Sequence, residues 1–67
     1  MKDIYIFRTV ITDEMGNKQI VGVSFKYGTE DEARETANAL CTEKESVNYH
    51  IADDIEIQAG KLAGAIA

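Results

Sequence analysis

The chain lacks the features that several functional classes require. Its 67 residues include a single cysteine, Cys41, so no internal disulfide can form and a reducing cytoplasm is the expected compartment. Seven basic residues against twelve acidic ones give a net charge of -5, which argues against direct nucleic-acid binding because phosphates require clustered Lys and Arg. No apolar segment has the pattern of a signal peptide or a membrane span, so we expect no membrane partner.

Motifs for cofactors and catalysis are also missing. The five glycines form neither a GxGxxG nor a GxxxxGK pattern, and a lone histidine has no second histidine to share a metal, so we expect no cofactor. Cys41 and His50 are the one conventional pair of nucleophile and base. The acidic segment around Cys41 disfavours a thiolate, and His50 falls on the polar side of a predicted strand. We therefore expect no enzyme activity from so short a chain.

What is present is the composition of a folded protein, with 45% hydrophobic and 28% charged residues. Residues 4–12 are rich in β-branched and aromatic side chains and predict a strand. A turn with Gly16 or Asn17 at positive φ separates it from a second, alternating strand at 18–27, which together form a hairpin. Gly22 inside the second strand indicates a bulge or a close backbone approach.

A helix is predicted next, and its start is a capping box. Thr29 precedes Glu32 by three residues, so each side chain can bond the other's backbone amide. One stripe of the helix, extending to about residue 45, is apolar and predicts the face that packs on the sheet. That stripe contains Ala33, Ala37, Leu40, Cys41 and the aliphatic stem of Lys44. We expect Leu40 to anchor the helix and Cys41 to be an inert core residue.

A third strand follows at 47–51, where apolar and polar residues alternate again. Asp53 falls on its apolar side, which predicts a bulge or a bend at 52–54 before the alternation resumes at Ile55 and Ile57. Residues 1–57 are therefore expected to form a single ββαβ domain. Residues 58–67 have helical spacing but two glycines, which indicates a weak helix or a frayed C-terminal tail.

This order of elements predicts an α+β fold, a three-stranded antiparallel sheet in the order 2-1-3 with one amphipathic helix on one face. The first strand is apolar on both sides, with Tyr5 and Phe7 on one and Ile4 and Ile6 on the other. A single helix can cover only one of these faces. The other must meet the tail, a second subunit or another protein.

Acidic residues are concentrated on the predicted helix, opposite its apolar stripe. This predicted ridge contains Asp31, Glu32, Glu35 and Glu43. It is either a solvated face that keeps the protein soluble or a patch that meets a basic protein surface.

A second acidic group follows the third strand. Asp53 and Asp54, with Glu56 close by, could hold calcium or act as an acid and base. A calcium loop requires more oxygen donors at tighter spacing, and a paired-carboxylate hydrolase requires a cleft that so short a chain is too small to build, so solvated loop acids are the simpler interpretation. Asp53 and Asp54 are added to the candidate partner-binding residues.

The segment Gly28–Leu40, GTEDEARETANAL, follows the hairpin and precedes a closing strand. This layout resembles small phage-encoded inhibitors, including anti-CRISPR proteins and an inhibitor of bacterial RNA polymerase. It is also similar to HicB-type antitoxins, whose helix follows a strand through a T-x-x-E-A step, here Thr29 to Ala33. The resemblance implies a protein that blocks a larger, often nucleic-acid-binding machine by occupying its basic surface.

Two main hypotheses follow. The first is a cytoplasmic protein-binding inhibitor, encoded by a phage or mobile element, whose partner has a basic surface. The alternative is a homodimeric structural or adaptor protein in which the uncovered sheet face is buried against a second copy. A small hydrolase is a distant third.

Overall fold

The structure, a computed structural model, describes residues 1–66, which form three strands and two helices. In chain order, the elements are β1 (Asp3–Thr12), β2 (Lys18–Gly28), α1 (Glu30–Leu40), β3 (Glu45–Ile51) and α2 (Asp54–Leu62). The strands make one antiparallel sheet in the order β2-β1-β3, so β1 is central. The predicted α+β fold and strand order are confirmed, and α2 is an addition to the single helix expected.

The turn that joins β1 to β2 is organised by Asp13. Its carboxylate accepts hydrogen bonds from the backbone N–H groups of Met15 and Asn17, both at 2.9 Å. Gly16 has a φ of 83°, in the left-handed region that favours glycine. Of the two predicted positions, Gly16 is therefore the one at positive φ.

The predicted bulge lies between the same two strands. Thr9 pairs with Gly22 but Val10 pairs with Ile20, so Val21 has no partner in β1. The extra residue restores Val10 and Ile20 to one face of the sheet, where both side chains point away from α1.

The core lies between α1 and one face of the sheet. Ala33 and Ala37 are 2% and 4% exposed, and their short side chains let the helix axis lie close to the strands. The core residues they contact on the sheet are Tyr5, Phe7 and Val47, with Tyr49 packed at the edge. Phe7, the most deeply buried of these, lies at the centre because β1 is the middle strand.

The capping box at the start of α1 forms as predicted. The Thr29 hydroxyl accepts a hydrogen bond from the Glu32 amide at 3.2 Å, and the Glu32 carboxylate accepts one from the Thr29 amide at 3.2 Å. Two amides that the helix itself leaves without partners are thereby satisfied.

The end of α1 differs from the prediction. The helix stops at Leu40, and the backbone of Cys41 is extended. The Thr42 hydroxyl accepts a hydrogen bond from the Glu45 amide at 3.0 Å, and this local bond competes with continuation of the helix. Leu40 is consequently 49% exposed, and Cys41 is exposed rather than buried. The expectations that Leu40 anchors the helix and that Cys41 belongs to the core were both wrong.

The second helix begins where a bulge or a bend, followed by a resumed strand, was expected. Asp53 accepts a hydrogen bond from the Glu56 amide at 2.7 Å, and Glu56 accepts one from the Asp53 amide at 3.1 Å. This is a second capping box, and it makes residues 54–57 helical, so α2 starts four residues before the expected tail. Residue 67 of that tail lies outside the described residues.

α2 lies on the face of the sheet opposite α1. The Glu56 side chain of α2 accepts a hydrogen bond from Arg8. Arg8 follows Phe7 on β1, so its side chain points to the face of the sheet opposite the one that α1 covers. Gly60 is buried against the sheet, where a Cβ atom would lie only 2.9 Å from the Phe25 ring and 2.7 Å from Ile66. The close approach at Gly60 explains how so short a helix covers Ile6, which is 4% exposed.

Candidate functional site

The outward side of α1 carries the acidic residues predicted for it. We define the α1 acidic face as Asp31, Glu32 and Glu35, all of which are exposed. At 100° per residue they project away from the buried Ala33 and Ala37. The helix contains four acids and one base, and its last turn carries no base. The negative charge is therefore concentrated in the first half of the helix, and residues 36–40 carry no charge.

The three acids differ in how free they are to meet a partner. Asp31 lies 2.8 Å from the Arg34 guanidinium, with the two side chains 86% and 56% exposed. Hydrogen bonds donated by the Thr29 backbone amide, and then by its hydroxyl, lower the pKa of Glu32, so this carboxylate is committed to the helix cap. Glu35, one turn after Asp31, is the most available of the three for a cation of another protein.

The other three predicted partner-binding residues lie elsewhere. Glu43 is not on the helix, because α1 ends at Leu40, and it lies in the turn before β3. Asp53 caps α2 and Asp54 begins it, so both belong to the α2 end of the molecule. The structure thus brings together Asp31, Glu32 and Glu35 and places Asp53 and Asp54 on a separate element.

A polar cluster that the sequence did not predict joins α2 to the sheet. We call Arg8, His50 and Glu56 the Glu56 cluster. The Glu56 carboxylate accepts a hydrogen bond from Arg8 at 2.7 Å and lies 3.0 Å from the His50 ring nitrogen Nε2. The hydrogen bond from the Asp53 backbone amide, followed by that from His50, lowers the pKa of Glu56.

The Glu56 cluster is suited to holding α2 in place. The Glu56 side chain is only 15% exposed, whereas those of Arg8 and His50 are 39% and 47% exposed. A carboxylate already bonded to a guanidinium and an amide is a poor proton acceptor for a substrate. The available signal in the sequence was the Asp53-to-Glu56 spacing, which repeats that of Thr29 to Glu32.

No group of three His, Cys, Asp or Glu side chains within residues 1–66 is arranged to hold a metal ion. Over the same residues, neither helix has the length and apolar character needed to cross a bilayer.

A groove opens between α2 and the hairpin. We define the α2 groove by its walls, which are Arg8, Val23 and Phe25 on the sheet, Ala59 and Gly60 on α2, and Ala63, the residue that caps the end of α2. Its volume is about 330 Å³. Large apolar side chains remain exposed on either side of it. Ile20 and Val23 on β2 are 56% and 50% exposed, and Ile55 and Leu62 on α2 are 78% and 91% exposed. The second face of the sheet is thus only partly covered by α2.

Comparisons of this chain with protein-family models, with curated proteins and with solved structures found no match.

Proposed function

We propose that the protein is a non-enzymatic binding module that docks its α1 acidic face onto a basic surface of a larger protein. The observation that carries this proposal is the separation of side chains on α1, with small apolar residues toward the core and acidic residues toward solvent. Two alanines fix the helix to the core, so every acidic side chain is left for the outside. Concentrated charge of one sign speeds encounter with a partner of the opposite sign.

The partner of this proposal is a protein that itself binds nucleic acid. A surface built for phosphates is rich in Lys and Arg, and an acidic helix can occupy it in place of the phosphates. The order of a hairpin, the segment at 28–40 and a closing strand resembles the layout of small phage-encoded inhibitors, and this resemblance favours the same assignment. The protein would then be an inhibitor encoded by a phage or mobile element, acting in the cytoplasm and making no direct contact with nucleic acid.

The test requires the partner, which can be captured from a lysate of the source cell, identified by mass spectrometry and purified. Association rates are then measured by surface plasmon resonance for the unmodified protein, Glu35→Lys and Glu14→Lys. Glu14 is an exposed acid in the hairpin turn, so its reversal changes the net charge equally without touching α1.

We expect Glu35→Lys to slow association several-fold and Glu14→Lys to have a much smaller effect, because steering depends on where the charge faces the partner. Added salt should slow the unmodified protein in the same way, since the charges are solvent-exposed. An association rate that is the same for both variants, or insensitive to salt, would contradict the proposal.

A further inference from the structure

The α2 groove and the rim beside it expose apolar side chains to solvent in the monomer. Ile55, Ala59 and Leu62 are spaced i, i+4 and i+7, which places them on one flank of α2. Ala59 lines the groove, so Ile55 and Leu62 project along the rim of the same depression. A groove and a protruding leucine thus lie side by side on one surface.

That arrangement is what a two-fold contact requires. In an isologous dimer the same patch meets itself, so each copy must offer both a protrusion and a recess that receives it. Leu62, 91% exposed, is the protrusion, and the small residues Ala59, Gly60 and Ala63 leave room on the recessed side.

The charges of this face favour a second copy of the chain over a charged partner. Two molecules that each carry a net charge of -5 repel one another, unless they meet through a surface without excess acid. The charged groups in the groove are Arg8 and Glu56, which neutralise each other at 2.7 Å. The α1 acidic face lies on the opposite side of the sheet, so it stays outside such a contact.

The area available suits a reversible dimer. The exposed parts of Ile20, Val23, Ile55 and Leu62 offer roughly 200–300 Å² of apolar side-chain surface per copy, on the scale of the area that a buried aliphatic side chain removes from water. The groove walls add to this, but the total remains at or below the ~800 Å² per partner of a standard interface. An interface of this size is that of a weak, reversible complex, so self-association should depend on protein concentration.

We propose that the α2 groove is closed by a second copy of this chain, with Leu62 of each copy inserted into the groove of the other. The dimer leaves both α1 acidic faces exposed on its outer sides. This inference does not depend on the acidic-face proposal, because it uses the other face of the sheet.

The experiment is sedimentation velocity of the full chain from about 1 μM to 1 mM, with Leu62→Glu and Met15→Glu as a matched pair. Both replace an exposed apolar residue with the same acid, and Met15, 87% exposed, lies in the hairpin turn. Far-UV circular dichroism confirms that each variant is folded. Val23→Thr, a change of nearly equal volume on the opposite groove wall, is the second test of the surface.

We expect the unmodified protein and Met15→Glu to dimerise with equal dissociation constants. Leu62→Glu should raise the dissociation constant by about 100-fold or more, since two leucines leave the interface and two carboxylates enter it. Val23→Thr should raise it several-fold. A monomer at all concentrations would overturn the inference, including the case in which the groove binds an apolar helix of another protein. A dimer that survives Leu62→Glu would overturn it as well.

Discussion

Arg8 and Glu56, 48 residues apart in the sequence, meet at 2.7 Å and join the central strand to the second helix. The same carboxylate receives His50 from β3 and the Asp53 amide from its own helix cap. One glutamate therefore fixes where α2 starts and where it lies on the sheet. Its replacement should loosen both.

The first prediction concerns acid. The folded protein lowers the pKa of Glu56, so the stability this group contributes is present above the ordinary glutamate pKa of about 4.3 and is lost as pH falls through the lower folded value. Glu56→Gln should thus lower the free energy of unfolding at neutral pH and weaken its decline below that pKa. Urea denaturation at a series of pH values measures both effects.

Glu35→Gln is the control for this experiment, because it removes a carboxylate from the exposed side of α1. Glu32 and Asp13 also have lowered pKa values, through hydrogen bonds from Thr29 and Asn17 respectively, and should retain part of the pH dependence in either variant. If Glu56→Gln and Glu35→Gln give identical pH profiles, the Glu56 cluster does not hold α2 in solution.

The second prediction is that Gly60→Ala destabilises the protein. In an exposed helix this change gains about 1 kcal/mol. Here the added Cβ atom would lie 2.9 Å from the Phe25 ring and 2.7 Å from Ile66, and overpacking of this kind costs about 1–3 kcal/mol. A net loss should therefore appear in urea denaturation.

Ile66→Ala provides the complementary change, because it removes the Ile66 side-chain atoms that the new methyl group would meet at 2.7 and 3.0 Å. The double variant Gly60→Ala/Ile66→Ala should lose less stability than the sum of the losses in the two single variants. This difference is a favourable coupling in a double-mutant cycle. A Gly60→Ala protein more stable than the unmodified one would show that α2 does not approach the sheet this closely.

The third prediction concerns Cys41, which was expected in the core but is exposed in the structure. Its sulfur accepts a bond from the Val47 amide at 3.4 Å and is otherwise open to reagents. The folded protein should react with a thiol reagent such as dithionitrobenzoate at close to the rate seen in denaturant. Cys41→Ser supplies the blank. A reaction that is slow in the native state and accelerates on unfolding would mean that Cys41 is buried in the folded protein.

The sequence predicted the sheet well because alternation and turn chemistry are local. The pattern of β1 and β2, the glycine at 16 and the T-x-x-E step at Thr29 each specify their structure within a few residues. The strand order followed from the right-handed crossover through the helix, and the apolar residues on both sides of β1 supported it. The sequence pattern misplaced two boundaries, the end of α1 and the start of α2.

Both misplaced boundaries depend on short polar side chains that compete with a longer apolar pattern. Thr42 ends α1 although Cys41 and Lys44 would continue its stripe. Asp53 starts α2 although Ile55 and Ile57 would continue the alternation of β3. The Glu56 cluster could not be predicted, because its residues come from three elements and meet only once α2 lies on the sheet.

The fourth prediction tests the alanine contact between α1 and the sheet. Ala33 is 2% exposed and belongs to the core, so Ala33→Leu should destabilise the protein by about 1–3 kcal/mol. Ala39→Leu makes the same substitution on the exposed side of the same helix and should change stability by no more than about 0.5 kcal/mol. Thermal denaturation of the two variants compares them directly. Equal losses would mean that α1 does not pack through the Ala33 side.

The last prediction compares the two capping boxes, which have the same chemistry in different surroundings. Thr29→Ala and Asp53→Ala each remove a cap worth about 1 kcal/mol to its helix. α1 covers the main core, so loss of the Thr29 cap should speed hydrogen exchange of β1 amides together with those of α1. Gly60 is the one buried residue of α2, and the helix lies on the sheet face opposite the main core, so loss of the Asp53 cap should speed exchange in α2 more than in β1. Amide exchange followed by NMR separates these responses. If Asp53→Ala speeds exchange in β1 as much as Thr29→Ala does, α2 is part of the same cooperative unit as the core.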